Sequence, residues 1–160
     1  MEGINTRTER GDGLVSGIGF DLIDLSDFAR TLKRSGERFI QRIYTKEEIE
    51  YCRAQPHPVQ SFAVRFAAKE AAMKAMGVAG QEGLSWRDFE VVCASSGRPA
   101  MVLHGRAAVR SNSLQLGPLH ISLSHSQSAA GALAIAETAG PRGGVIKRTG
   151  TTTRSSGRAK

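Results

Sequence analysis

An α+β fold is what the sequence predicts, and three observations predict it. Strand-like and helix-like stretches alternate without an internal repeat. The strands come as hairpin neighbours instead of repeated βαβ units. One long alanine-rich stretch, residues 59–76, places apolar residues around most of a helix's circumference. Such a helix belongs inside, packed on a mostly antiparallel sheet, and a chain of 160 residues can bury it within one compact domain.

Each element has its own local reason. LVSGIGFDLI (14–23) is strand-like but interrupted by Gly17 and Gly19. Glycine inside a strand weakens it and marks close approach of another backbone or of a ligand. LSDFARTLKRSG (25–36) has helical spacing with Gly36 at its end, and 37–43 forms a further short helix. Thr45 followed by Glu48 is the capping-box pattern that opens TKEEIEYCRA, and Pro56 and Pro58 break that helix before the long one begins. FEVVC (89–93) and PAMVLH (99–104) flank ASSGR as a hairpin. A short helix covers 105–114, and HISLSH (120–125) and GALAIAE (131–137) are the closing strands.

Composition excludes several classes of function. With 40% apolar and 23% charged residues the chain is globular, and no apolar run reaches the ~20 residues of a membrane span. The opening MEGINTRTERGDG resembles neither a secretory signal nor a transit peptide, so a cytoplasmic location is expected. Cys52 and Cys93 stand apart, without zinc-ligand spacing or a disulfide framework. The net charge of +7 is concentrated: six bases and no acid lie in 138–160, leaving sixteen bases against fifteen acids in 1–137. A nearly neutral body with 6% aromatics does not suit a nucleic-acid-binding module. Three segments follow: an N-terminal extension (1–13), a single domain (14–137), and a basic Gly/Ser/Thr-rich tail (138–160) with the composition of disorder.

The charges of RFAAKEAAMKAMG (65–77) are the first functional signal. With about 100° per residue, Lys74 falls about 40° from Glu70, while Lys69 lies inside the apolar stripe formed by Phe62, Phe66, Met73 and Met76. A bland reading pairs Glu70 with Lys74 at i,i+4 and lets Lys69 snorkel. The second signal is Asp21 in GIGFDLID, either a helix-capping residue or a ligand for a hard cation. Two carboxylates, Asp21 and Glu70, with bases nearby would suit Mg²⁺ and a diphosphate. The third is ISLSHS (121–126). Ser124 and His125, adjacent on a strand, point to opposite faces, which makes a catalytic triad a weak reading, but both suit phosphate contacts.

Taken in order, GIGFDLID, ERFIQRIYTKEEIEYC, RFAAKEAAMKAMG, SGRPAMVLHGRAA and ISLSHSQSAAGALAIAE resemble the holo-acyl-carrier-protein synthase family of 4′-phosphopantetheinyl transferases over residues 14–137. The resemblance implies that family's α+β fold, assembled as a homotrimer with sites between subunits. It implies Mg²⁺-dependent transfer of 4′-phosphopantetheine from coenzyme A to a serine of apo acyl carrier protein, with adenosine 3′,5′-bisphosphate released, in fatty-acid or polyketide synthesis. Under it Asp21 and Glu70 hold the metal and, with Lys74, form the catalytic set. Arg65, Lys69, Gly97, Arg98, Pro99, Ser124 and His125 contact coenzyme A. The alternative is an inactive coenzyme A or nucleotide-binding module, which would have no need of the carboxylates.

A ladder of bases, Arg30, Lys33, Arg34, Arg38, Arg42 and Lys46, faces a single acid, Glu37, over the same span. It is the expected dock for an acidic carrier helix, with a solvated face as the plain alternative. Family members often carry a base six positions after the metal-binding aspartate. Here that position is Asp27, which shifts the expected contact onto Arg30 and Arg34.

Overall fold

The computed structural model describes residues 14–80, 83–94 and 96–139. The N-terminal extension, and all of the tail beyond Ala139, lie outside them. The order of elements is β1 (Val15–Asp24), α1 (Leu25–Ile43), α2 (Lys46–Arg53), α3 (Pro58–Ala75), a 3₁₀ turn (Trp86–Asp88), β2 (Phe89–Cys93), β3 (Pro99–Leu103), α4 (Gly105–Ser113), β4 (Leu116–His125) and β5 (Ala129–Thr138). The fold is α+β, as expected. The strands form two antiparallel sheets instead of one: β1-β5-β4, and the separate hairpin β2-β3.

Local chemistry sets the helix ends. Asp24 accepts from the backbone N–H of Ser26 and Asp27, capping α1 directly after β1. Gly36, at φ 58° and ψ −146°, breaks α1 into the two helical segments the sequence indicates. The capping box of α2 is complete: Thr45 Oγ1 accepts from the N–H of Glu48, and Glu48 Oε2 accepts from the N–H of Thr45. Pro58 occupies the first turn of α3, where its missing N–H costs nothing. β4 begins four residues earlier than its clear alternation, because Gly117 and Pro118 interrupt the pattern, and the register shifts between Leu116 and Leu119.

Helix α3 is the axis of the domain. Ala63, Ala67, Ala68, Ala71 and Ala72 are fully buried, and β1, β5, β4, α1, α2 and β2 all pack on the helix. Its missing wet face is therefore closed within the chain.

The glycines of GIG show how tightly this is done. A Cβ at Gly17 would lie 2.0 Å from the carbonyl oxygen of Ala75, and one at Gly19 would lie 1.9 Å from that of Ala71. The strand thus rests on the helix backbone, which answers the choice between backbone and ligand in favour of backbone. Ala130, Ala132, Ala134 and Ala136 do the same on β5, all essentially buried. The consequence reaches the outer face. β1 turns Gly17, Gly19 and Asp21 toward the helix side, and leaves Ile18, Phe20 and Leu22 at 64%, 59% and 62% exposure.

Candidate active site

The close approach of β1 to α3 brings three charged groups together. Lys74, one turn beyond Glu70, extends from α3 to β1 and donates to Asp21 Oδ1 at 2.8 Å and to the carbonyl of Phe20 at 3.1 Å. The bland i,i+4 pairing with Glu70 is thus replaced by a bond across the two elements. Asp21 Oδ2 is buried and has no hydrogen-bond partner among the described residues. Burial and then the nearby charge of Asp21 raise the Glu70 pKa above the usual carboxylate range, while Lys74 acts the other way. Two carboxylates thus repel one another across a gap that a single ammonium only partly neutralises.

A second feature lies farther toward the N-terminal end of α3. A cavity of about 370 Å³ is lined by Tyr51 of α2, Ser61, Val64 and Arg65 of α3, Gly97 and Pro99 of the β2–β3 hairpin, and His125 at the end of β4. Arg65 is 4% exposed, its guanidinium lies 4.0 Å over the Tyr51 ring, and Nη1 donates to Ser61 Oγ at 3.1 Å. Its Nε is buried without an acceptor. A buried cation with an unused donor on a cavity wall favours an anion there.

The structure sorts the remaining sequence-predicted residues. Gly97, at φ 80°, shapes the hairpin turn, and Pro99 starts β3, so both belong to the cavity. Arg98 is exposed beside them, with its carbonyl accepting from Ala94 N–H. Ser124 lines a different hollow, about 350 Å³, on the outer face of the sheet with Phe20, Leu22, Gly131 and Leu133. His125 borders both hollows. Arg30, Lys33, Arg34, Arg38 and Arg42 are all exposed, but Arg30 is ion-paired with Asp27.

Lys69 stands apart from the others. It is fully buried, with its ammonium 2.7 Å from Glu48 Oε2 and bonded to the carbonyls of Trp86 and Phe89. The expected contact of Lys69 with coenzyme A is corrected here: all three of its N–H donors are used inside the core, and none reaches the cavity.

Sequence reasoning missed Tyr51, Gln60 and Cys93 as cavity residues. They come from three separate elements and share no motif. The usable signal was the Pro56–His57–Pro58 break, which delivers the start of α3 to the cavity mouth.

Comparison with known proteins shows the family. The profile of the 4′-phosphopantetheinyl transferase superfamily matches residues 17–134. A holo-[acyl-carrier-protein] synthase of Koribacter versatilis is 44% identical over 124 residues, which is 78% of this chain and 99% of that protein. The crystal structure of holo-[acyl-carrier-protein] synthase from Neisseria meningitidis is similar with a TM-score of 0.74 at 29% identity, covering 78% of this chain and 100% of that one. The Helicobacter pylori holo-[acyl-carrier-protein] synthase, solved in complex with coenzyme A, gives a TM-score of 0.66 at 26% identity, covering 74% and 98%. The chain belongs to the 4′-phosphopantetheinyl transferase superfamily, and it is an enzyme of the holo-[acyl-carrier-protein] synthase family.

Proposed function

We propose that the chain transfers 4′-phosphopantetheine from coenzyme A to a serine hydroxyl of apo acyl carrier protein, leaving adenosine 3′,5′-bisphosphate, and that the reaction needs Mg²⁺. The observation that carries this is the buried Oδ2 of Asp21, unpartnered among the described residues, in a carboxylate whose charge raises the Glu70 pKa. Lys74 supplies one positive charge to two carboxylates, which leaves one negative charge for a cation. Mg²⁺ takes one or two protein carboxylates and completes its octahedron with water and phosphate oxygens, so Asp21 and Glu70 fit it. Among the described residues no group of three His, Cys, Asp or Glu side chains could hold a metal ion.

When bound, the metal would neutralise the coenzyme A diphosphate and polarise the attacked phosphorus. The chain's own groups do the rest. Lys74 holds Asp21 Oδ1 in place and supplies positive charge where the departing phosphate gains negative charge. Glu70, made more basic by burial and by Asp21, accepts the proton of the incoming serine. The serine oxygen bonds to the phosphorus that bears the pantetheine arm, and the bond from that phosphorus to the bridging oxygen breaks. Arg65, Gly97, Pro99 and His125 line the cavity that holds the nucleotide end, and exposed Arg98 lies between two of these residues in sequence.

Assembly as a homotrimer completes the proposal. Three large apolar side chains on one exposed strand face are unusual for a monomer. The hollow holding Ser124 opens on that same face, so a neighbouring copy would close it. Arg34, Lys33, Arg38 and Arg42, with Arg30, offer the carrier a positive surface on α1. Among the described residues no helix is long and apolar enough to cross a membrane. Incubation with coenzyme A, Mg²⁺ and an apo carrier, followed by mass spectrometry, should show one phosphopantetheine added. Coenzyme A binding without modification of any carrier would favour the inactive binding module.

A further inference from the structure

Among the described residues, the most completely buried charges take no part in that chemistry. Glu48 and Lys69 have side-chain exposures of 1% and 0% and lie between α2, α3 and β2. Lys69 Nζ donates to Glu48 Oε2 at 2.7 Å, to the carbonyl of Trp86 at 3.2 Å, and to that of Phe89. Glu48 Oε1 accepts from the N–H of Val91 at 3.0 Å, and Oε2 also accepts from the N–H of Thr45. One ion pair therefore holds the start of α2, the middle of α3, the 3₁₀ turn and the first half of β2. A parallel tie runs from Thr45 Oγ1 to Glu90 Oε1 at 2.8 Å.

These are also the elements that form the walls of the cavity. α2 contributes Tyr51 and α3 contributes Ser61, Val64 and Arg65. The hairpin contributes Cys93, Gly97 and Pro99. The hairpin is a sheet of its own, with no ladder to β1-β5-β4. Its polar ties to the helices come from side chains: Glu48 and Lys69 supply those to Val91, Phe89 and Trp86, beside Thr45 to Glu90 and Arg65 to Cys93. A buried ion pair is weak evidence for stability, since apolar groups of the same volume often serve as well, but its bonds are directional and fix one geometry. Burial pushes the Lys69 pKa down while Glu48 holds it up, so the ammonium depends on its partner to stay charged.

We propose that Glu48 and Lys69 are positioning residues that set the width of the coenzyme A cavity by fixing the β2–β3 hairpin against α2 and α3. This rests on the reading that the cavity takes coenzyme A.

The test is a double variant, Glu48→Gln with Lys69→Met, compared with the wild-type full chain. Circular dichroism and the thermal midpoint establish folding, calorimetric titration with coenzyme A gives Kd, and steady-state assay separates KM from kcat. The expected result is a folded protein whose Kd and KM for coenzyme A rise by about five-fold or more, with kcat at saturation and KM for the carrier within about two-fold of wild type. A folded variant with unchanged coenzyme A affinity would overturn the proposal and leave the pair a matter of stability alone. A fall in kcat with unchanged KM would overturn it too, since Lys69 would then act on the chemistry. If the double variant does not fold, Glu48→Gln alone, which keeps the shape and an acceptor for Val91, decides by the same measurements. Absence of any titration by the wild-type chain would instead remove the reading of the cavity, and is seen before any variant is made.

Discussion

Lys74 Nζ of helix α3 lies 2.8 Å from Asp21 Oδ1 of strand β1, while the other oxygen of that carboxylate is buried and unpartnered. The pair joins two elements whose backbones touch, and so couples fold to chemistry. Lys74→Met should lower kcat by tenfold or more, with a smaller effect on metal affinity, because it removes charge that matters most in the transition state, where one such donor is worth about 3 kcal/mol. An unchanged kcat would make Lys74 an ordinary surface base.

Glu70 gives a prediction in pH. Its pKa is raised by burial and by the Asp21 charge, so in the metal-free chain Glu70 favours folding below its ordinary pKa and loses that contribution as pH rises through its raised one. Glu70→Gln should therefore raise the thermal midpoint of the metal-free chain at neutral pH, while abolishing turnover. Asp21→Asn should move the Glu70 titration, followed by carboxyl NMR, to lower pH. No movement would mean that the two charges do not meet.

Gly19→Ala tests the contact beneath the site. The new methyl would meet the carbonyl oxygen of Ala71 and the backbone nitrogen of Ala75, neither of which can rotate away. A loss of about 3 kcal/mol in denaturant unfolding is expected, the upper range for overpacking, and turnover should drop because Asp21 moves with the strand. Gly36→Ala is not a useful control, since φ there is 58°. A stable and active Gly19→Ala protein would show that β1 does not hold Asp21 in place.

The proposed assembly would bury the outer face of β1. Burying Ile18, Phe20 and Leu22 contributes roughly 1.5–3 kcal/mol per side chain. Phe20→Asp should shift sedimentation from trimer to monomer with helical content retained, and activity should fall with it. A wild-type chain that sediments as an active monomer would refute the assembly.

Asp27 refines the docking expectation. Because Arg30 is already paired with it, Arg34→Glu should raise KM for the carrier more than Arg30→Glu does, and Asp27→Ala should lower it. Both effects should shrink at high salt, since exposed charges are screened over about 8 Å at physiological ionic strength. Equal effects on the KM for coenzyme A would mean that α1 is not the dock.

Much of this was legible in residues that are near in sequence. The Thr45–Glu48 capping box, the stop at Gly36 and the alanine-lined α3 each follow from local chemistry, and the structure contains all three. What was not legible depends on distance along the chain. Lys69 could be seen to lie on an apolar face, but not that Glu48, 21 residues earlier, would meet it. Lys74 looked like the partner of Glu70 because i,i+4 neighbours always adjoin, whereas its bond goes to a strand 53 residues away. β1 read only as a strand interrupted by glycines. Its glycines and aspartate face the helix and its large side chains face out, a placement visible only once the helix is seen to lie against Gly17 and Gly19.

The central claim is that Asp21 and Glu70 share one divalent ion, and Mn²⁺ used in place of Mg²⁺ tests it most directly. Titration of the wild-type chain with Mn²⁺ in the presence of coenzyme A, followed by electron paramagnetic resonance of the free ion, should show one site per chain. That site should be lost in both Asp21→Asn and Glu70→Gln while each remains folded. Mn²⁺ binding that persists unchanged in either folded variant would contradict the account.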